Sequence, residues 1–271
     1  MRLRVAHSSV YRYDPPATGV IQVLRLTPRN HDGQYITDWR IDVTPDVRLA
    51  ARDDAFGNIT HVFTADGPLD ELRVDVYGQV ETQGANGVVR GTVELFPPSL
   101  YLRDTALTEA DAAIHEFAEK IRATAGDDAL AALHGLLDGL HEDLLCGAVS
   151  RDDNPESSNA AKSFALKHGT PQDLAHIFIG AAHVIGIPAR CVSGYFCNLD
   201  ANDAQETAHA WAEAYVPALG WVAFDPANGF CPTDAHIRVA VGLDYQGAAP
   251  MRGTRLGAGG ETLAVAIKIN Q

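Results

Sequence analysis

The chain has 271 residues, of which 46% are hydrophobic and 21% are charged. This composition lies near the average for globular proteins and excludes disordered and collagen-like chains. The 21 basic and 35 acidic residues give a net charge of −14, which repels phosphate backbones and anionic lipid headgroups. We therefore expect a folded protein, of two domains at this length, whose partners are neither nucleic acids nor membranes.

The sequence also lacks the usual marks of export, membrane insertion and metal binding. No run approaches the roughly 18 consecutive apolar residues of a spanning helix, and the first residues contain no apolar signal region. The cysteines form no CxxC pair and are too few to staple a chain of this length. We predict a cytoplasmic protein with no cofactor, no metal and four free thiols, at Cys146, Cys191, Cys197 and Cys231.

Alternation of apolar and polar side chains predicts strands in residues 1–96. The pattern is clear at 39–43 and 74–81, where every second side chain is apolar, as a half-buried strand requires. Residues 54–58 between two such runs are typical of a hairpin turn. We predict an N-terminal antiparallel β-sandwich whose role is scaffold and interdomain packing, because it carries no cluster of nucleophile, base or metal ligands. A short C-terminal β-segment is predicted at 261–271.

A second domain is predicted over 97–260, because Pro97 and Pro98 interrupt strands and helices alike and the hydrophobic period then becomes 3.6. Thr108 with Asp111 resembles the capping box of a first helix. The other elements predicted before residue 169 are a leucine-rich helix over 130–144, an exposed polar loop over 148–159 and a short helix over 160–167.

The best-specified helix start lies at Thr170. Thr170 suits the capping position, Pro171 suits the first turn, and Asp173 can complete a capping box with Thr170. Gly186 and the proline two residues later end the helix. Strand patterns follow over 190–196, 209–216 and 221–225. We predict an α+β domain in which this helix packs on an antiparallel sheet.

His209 and Asp225 fall on neighbouring strands of that sheet. A histidine supported by a carboxylate is the arrangement that fixes a general base in one tautomer and one orientation. The alternative is a polar cross-strand pair without chemistry. Trp211 and Trp221 flank these positions and either line a pocket or fill the core.

Asp173, His176 and His183 share one helical face and raise the possibility of a metal site. Histidines seven residues apart on a helix are too far apart to share one ion without further ligands. The favoured interpretation is a polar helix face on which Asp173 caps the helix, so no metal site is predicted here.

Four segments together resemble the bacterial transglutaminase-like superfamily, a group with a papain-like fold. They match it in order and spacing, and the β-region, the linking helices and the C-terminal tail are also similar, so the likeness covers most of the chain. The segments are GTPQDLAH at 169–176, GIPARCVSGY at 186–195, AHAWAEAY at 208–215 and GWVAFDPANG at 220–229.

The resemblance implies a Cys-His-Asp triad that forms an acyl-thiol intermediate and passes the acyl group to water or an amine. By position, His209 matches the base and Asp225 the orienting carboxylate. The nucleophile belongs at the helix start just before Gln172, where this chain has Pro171. Gln172 lies beside the implied cleft and is suited to hydrogen-bond an amide, and Trp211 and Thr170 are candidates for the same cleft.

Two functions follow from this pattern. The first is a protein without the nucleophile that binds a peptide, protein or small amide in the retained cleft. The second is an active amide or peptide hydrolase, or an acyltransferase, in which His209 and Asp225 activate water, a substrate hydroxyl or a displaced cysteine. Thr170 is an unfavoured nucleophile because its hydroxyl suits a helix cap.

Overall fold

The computed structural model describes residues 1–147, 158–198 and 208–271, so most of the predicted loop at 148–159 lies outside the described residues. The helices are α1 (Ala112–Ala125), α2 (Ala129–Asp143), α3 (Ala160–Leu166), α4 (Pro171–Val184) and α5 (Tyr245–Ala248). The strands are β1 (Arg2–Thr27), β2 (Gln34–Thr44), β3 (Ala50–Asp53), β4 (Ile59–Thr82), β5 (Val88–Val89), β6 (Leu145–Cys146), β7 (His168–Gly169), β8 (Ala189–Phe196), β9 (His209–Val216), β10 (Gly220–Phe224), β11 (His236–Gly242), β12 (Met251–Leu256) and β13 (Gly260–Asn270). Within the described ranges, no helix has the length and apolar composition needed to span a bilayer.

The first sheet has six strands in the order β12-β1-β4-β2, with β13 also paired to β1 and β3 to β4. All of these pairings are antiparallel. Alternate side chains of the long strands β1 and β4 are buried, among them Leu24, Leu72 and Val76. The predicted antiparallel β-domain is confirmed. Its strands belong to one continuous sheet, in which bulges interrupt the pairing of β1 with β4.

The second sheet has five antiparallel strands in the order β11-β8-β9-β10-β5. Helix α4 packs against β8 and β9, and its side chains from Asp173 to Ala182 are buried. Tyr195, near the C-terminal end of β8, packs with Leu3 and Val5 of the first sheet. The predicted α+β fold, with a helix on an antiparallel sheet, is confirmed.

The strand pairing divides the chain differently from the predicted limits at 96 and 260. Strand β5 lies before residue 96 but pairs with β10 of the second sheet. Strand β12 lies before residue 261 but pairs with β1 of the first sheet. Alternation indicates that a segment is a strand, whereas its partner depends on distant residues that a local pattern does not contain.

Local side-chain chemistry sets the helix starts. Asp111 is the N-cap of α1 and accepts hydrogen bonds from two N–H groups of the first turn, so the prediction that Thr108 caps this helix is wrong. Thr108 is buried in the preceding turn instead. At α4 the capping box of Thr170 and Asp173 is present in both directions, as predicted.

The first sheet docks on the second through the free edge of β11. The side-chain amide of Gln34 donates to the carbonyl of Arg238 at 2.9 Å and accepts from its N–H at 2.8 Å. Asn58 makes the same pair of bonds with Val241, at 2.7 and 2.8 Å. These amides replace the backbone partners that an edge strand lacks, and so fix β11 against the first sheet.

We predict that Gly194→Ala destabilises the second sheet. Gly194 pairs with His209 across β8 and β9, and a Cβ there would overlap the carbonyl of Ile237 and the ring of Trp211. Overpacking of this kind costs about 1–3 kcal/mol, so urea denaturation should show a lower midpoint. Gly84→Ala is the matched control, because nothing lies within 4 Å of a Cβ at that position. Equal unfolding free energies for the two variants would contradict this packing.

Candidate functional site

His209 and Asp225 are in direct contact. His209 is the first residue of β9, and Asp225 directly follows the neighbouring strand β10. The Nε2 atom of His209 lies 2.6 Å from Oδ2 of Asp225, whose side chain is fully buried. The structure thus brings together the two residues that the sequence paired, and it leaves the other ring nitrogen of His209, Nδ1, without a hydrogen-bond partner among the described residues.

Two further side chains bond to Asp225. Asn228 donates to Oδ2 through its side-chain amide at 2.7 Å and to Oδ1 through its backbone N–H at 3.3 Å. His236, the first residue of β11, lies 3.1 Å from the same Oδ2 through its Nε2. Sequence reasoning missed both residues. Asn228 carries a local signal, since an Asp followed three residues later by Asn is typical of a turn, but His236 arrives from a distant strand and carries none.

The tautomer of His236 follows from its second hydrogen bond. The backbone N–H of Thr233 donates to Nδ1 of His236 at 3.1 Å, so Nδ1 must be the unprotonated nitrogen. Nε2 then carries the proton that is donated to Asp225. Burial lowers the pKa of His236, with Asp225 opposing the shift only in part, so a neutral imidazole fits the site.

The carboxylate of Asp225 stays ionised despite its burial. Burial alone would raise its pKa, but the charge and hydrogen bond of His209 and the hydrogen bond of His236 outweigh that effect. The net result is a pKa well below the usual range of an aspartate. The site therefore contains a buried negative charge matched by donors on three sides.

These residues also form a group that could hold a metal ion, since His209, Asp225 and His236 place their ligand atoms within 4.8 Å of one another. A metal would need the lone pair of His236 at Nε2. The bond from the Thr233 N–H requires that lone pair at Nδ1 instead. The donor set therefore fits a hydrogen-bond network and does not fit a metal.

Aromatic rings enclose the two imidazoles. The ring of Phe196 lies 5.5 Å from that of His209 and 4.6 Å from that of His236, between centroids. Trp211 lies 6.0 and 5.4 Å from the same two rings, which places it at the site. Trp221 does not reach the site, because its ring packs under the guanidinium of Arg190 at 3.8 Å.

The start of α4 presents Thr170, Pro171 and Gln172. The Thr170 hydroxyl donates to Oδ2 of Asp173 at 2.6 Å and accepts from the Asp173 N–H at 3.4 Å, so it is committed to the cap. Pro171 is the first helical residue, where its missing N–H leaves no intrahelical bond unmade. Gln172 is half-buried, and its amide has no hydrogen-bond partner in the part of the chain that the structure describes.

Among the four cysteines, Cys146 is the one whose pKa is influenced by the carboxylate of Asp225. It lies on β6, which pairs with β7 so that Cys146 stands opposite Gly169, just before the start of α4. Although the residue is exposed as a whole, partial burial of the thiol and then the carboxylates of Asp225 and Asp173 raise its pKa to about 11. The pKa of the Cys146 thiol thus depends on a carboxylate at the start of α4 and on the carboxylate of Asp225.

The other thiols are also held in the protonated form. Burial raises the pKa of Cys191, Cys197 and Cys231, and nearby carboxylates add to this at Cys191 and Cys231. Low-pKa thiolates occur instead beside cations or at helix starts. The predicted free thiols are therefore present, and none has the environment of an activated nucleophile.

The alternative metal site on α4 does not assemble. His176 accepts a hydrogen bond from the N–H of Tyr245 at 2.9 Å, and His183 bonds to Asp104 at 2.8 Å. Asp173 is occupied by the helix cap. The three side chains therefore have separate partners.

Comparison with known proteins agrees with this architecture. Family models match residues 3–81, as the bacterial transglutaminase-like N-terminal region, and 115–226, as the transglutaminase-like superfamily. "Uncharacterized protein ML0607" of Mycobacterium leprae (strain TN) is 30% identical over 288 residues, covering 100% of this chain and 99% of that protein. The chain belongs to the bacterial transglutaminase-like superfamily. The resemblance carried by the four sequence segments is thereby confirmed.

Two further proteins are similar to this chain, one over a quarter of its length and one over all of it. "Uncharacterized protein YebA" of Bacillus subtilis (strain 168) is 34% identical over 77 residues, which are 25% of this chain and 10% of that protein. A crystal structure named "Putative Cysteine Protease from Cytophaga hutchinsonii" superposes with a TM-score of 0.77 at 17% identity, covering 100% of this chain and 90% of that one. At this identity the second similarity shows the shared fold alone.

The superfamily core at 115–226 contains Pro171, His209 and Asp225. Asn228 and His236, which complete the hydrogen bonds of Asp225, lie just beyond its end. Asn228 falls within the fourth sequence segment, at 220–229, whereas His236 lies outside both the family match and the sequence segments.

Acid should destabilise this fold through its buried histidines. Burial lowers the pKa of His7, His31 and His176 from 6.5 to about 4 in each case. Between about pH 6.5 and pH 4 the unfolded chain binds protons that the folded chain does not. The contribution of these histidines to the free energy of unfolding is therefore fully present above about pH 6.5 and decreases towards pH 4. Each such proton contributes a slope of about 1.4 kcal/mol per pH unit.

Urea denaturation at several pH values across this window measures that slope. His7→Gln should make it shallower by about one proton, because His7 bonds to Tyr195 and Ser9 in the neutral form. An unfolding free energy that stays constant from neutral pH down to pH 4.5 would contradict the neutral, buried state of these side chains.

Proposed function

We propose that this superfamily member binds a peptide or another amide-bearing ligand beside His209 and Asp225 without forming an acyl-thiol intermediate. The observation that carries the proposal is Pro171 at the first position of α4, the place where the superfamily resemblance implies the nucleophile. Proline has no nucleophilic atom and no backbone N–H, so that position supplies neither a thiolate nor a donor to an oxyanion.

The thiols elsewhere in the chain support the same function. Burial raises the pKa of all four thiols. At Cys146 the carboxylates of Asp225 and Asp173 raise the pKa further. A nucleophilic cysteine needs the opposite environment, a cation or a helix start that stabilises its thiolate. A displaced cysteine is therefore disfavoured by the electrostatics of each candidate.

The groups suited to hold an amide are Gln172 and Trp211. Gln172 has a free side-chain amide that can donate to a carbonyl and accept from an N–H. Trp211 contributes its apolar ring, whose centroid lies 6.0 Å from that of His209. Together with the aromatic surroundings of His209, they offer an apolar surface with a few polar groups, as ligand sites usually do. The net charge of −14 disfavours a strongly acidic ligand.

Hydrolysis by water is the second candidate, and one observation favours it. Asp225 accepts from Nε2 of His209, which leaves the Nδ1 lone pair available as a base. In that mechanism Nδ1 removes a proton from water as the water oxygen attacks an amide carbonyl. It ranks second because, among the described residues, no side chain is placed beside His209 to activate the carbonyl or to hold the attacking water.

Alkylation of the thiols separates these functions from thiol chemistry. Iodoacetamide, a small electrophilic amide, should label the native cysteines slowly and at the same rate in His209→Ala, as read by intact mass and peptide mapping. His115→Ala, at an exposed histidine of α1, is the matched control. Pro171→Cys is the positive control, since a thiol at a helix start has a lowered pKa and should react faster than any native one. Rapid labelling of one native cysteine that disappears in His209→Ala would refute the proposal.

Binding itself is measured with N-acetylglutamine amide by isothermal titration calorimetry. Gln172→Ala should weaken binding by about tenfold, the loss expected for one side-chain amide pairing. Gln79→Ala, at a half-buried glutamine of the first sheet that donates to the hydroxyl of Thr37, should leave it unchanged. Release of ammonia that requires His209 would favour the hydrolase, whereas equal effects of the two glutamine variants would remove Gln172 from the site.

A further inference from the structure

A cavity of about 60 Å³ lies between the two sheets. Its walls include His31 and Gln34 from the first sheet and its connections, and Trp211, His236 and Arg238 from the second sheet. One water needs about 10–15 Å³ on this scale, so the cavity has room for a ligand of a few non-hydrogen atoms.

Two of the residues that line this cavity have a buried N–H group with no acceptor among the described residues. The indole Nε1 of Trp211 is unpartnered, in a side chain that is only 2% exposed. The N–H of Gly33 donates to Nδ1 of His31 at 3.2 Å, which puts the His31 proton on Nε2, and that atom is also buried without a partner. Buried donors without acceptors are rare in folded proteins, and two on one cavity indicate a missing acceptor.

The side-chain acceptors of Glu213, Gln34 and His236 at this cavity are already occupied. Both carboxylate oxygens of Glu213 accept from guanidinium groups. The side-chain oxygen of Gln34 accepts from the N–H of Arg238 at 2.8 Å, and Nδ1 of His236 accepts from the N–H of Thr233. These three side chains therefore offer no free acceptor, and the unpartnered N–H groups of Trp211 and His31 favour a ligand that accepts hydrogen bonds.

The guanidinium of Arg238 favours a ligand with a negative charge. Its guanidinium gives Nε and one Nη to Glu213, at 2.7 and 3.2 Å, and the other Nη has no partner in the described ranges of the chain. A cationic donor beside two neutral N–H groups favours an anionic acceptor with more than one oxygen. A carboxylate has this charge and geometry.

We propose that this cavity is a binding site for a small carboxylate, held by Trp211 Nε1, His31 Nε2 and the free Nη of Arg238. The site goes beyond the amide-binding function, because His31 and Arg238 belong neither to α4 nor to the His209–Asp225 pair. The volume favours a free acid of acetate size, and the carboxylate end of a peptide is the other source of the same group.

Nuclear magnetic resonance of the indole N–H groups tests this directly. The protein has three tryptophans, and Trp211→Phe identifies the Trp211 signal. Titration of the whole chain with millimolar sodium acetate, at constant ionic strength with sodium chloride, should shift that signal saturably. The Trp39 signal should stay in place, because its N–H already donates to the carbonyl of Leu26 at 2.9 Å.

His31→Phe should weaken acetate binding by about tenfold or more, as loss of one buried donor predicts. His61→Phe is the matched control, since His61 also has a buried, unpartnered ring nitrogen but does not line the cavity. Acetamide should bind more weakly than acetate. An N-acetylated dipeptide with a free C-terminus, compared with its amidated form, distinguishes the peptide source from the free acid.

A Trp211 signal unmoved by acetate would mean that water alone fills the cavity and would overturn the proposal. Equal affinities for acetate and acetamide, or equal losses in His31→Phe and His61→Phe, would overturn it as well. Thermal unfolding of each variant shows that a lost signal shift reflects lost binding, and no step of this test depends on amide binding or turnover.

Discussion

The buried carboxylate of Asp225 is the group on which the arrangement of the site depends. A charge without contact to water is costly unless hydrogen bonds replace its hydration. Here His209, Asn228 and His236 supply those bonds from β9, the loop after β10 and β11. Removing one partner of a buried ionic group typically costs about 3–5 kcal/mol, so the three donors hold these elements in one mutual geometry.

Strand β11 connects this network to the first sheet. Besides His236 it carries Arg238, which joins Arg190 in holding the pKa of the buried Glu213 at about 2 against the effect of burial. Its free edge is bonded by the side chains of Gln34 and Asn58. The first sheet, whose role predicted from the sequence is scaffold and interdomain packing, thus fixes the strand that provides a donor to each of the two buried carboxylates.

The parts of this structure that were predictable from sequence are those set by local chemistry. Thr170 and Asp173 specify the start of α4 within four residues, and apolar strand patterns predicted the strands at His209 and before Asp225. His236 was not predictable, because its role depends on where β11 pairs, and strand partners are set by non-local contacts. The pairing of β5 and β12 escaped prediction for the same reason. Motif recognition supplied the family, and geometry alone supplied the full set of donors to Asp225.

The same physics explains why His209 and Asp225 remain while the expected nucleophile position holds Pro171. Each member of the pair stabilises the folded chain, because loss of His209 would leave a buried carboxylate short of a donor. Nothing in the fold requires a thiol at the first position of α4, where Pro171 satisfies the helix as well as any residue can. Under the proposed binding function, a residue whose role is purely chemical can be replaced, whereas residues with a structural role are still required. A buried histidine–aspartate pair therefore indicates, before anything else, a role in stabilising the fold. It indicates catalysis only where a nucleophile or a held water accompanies it.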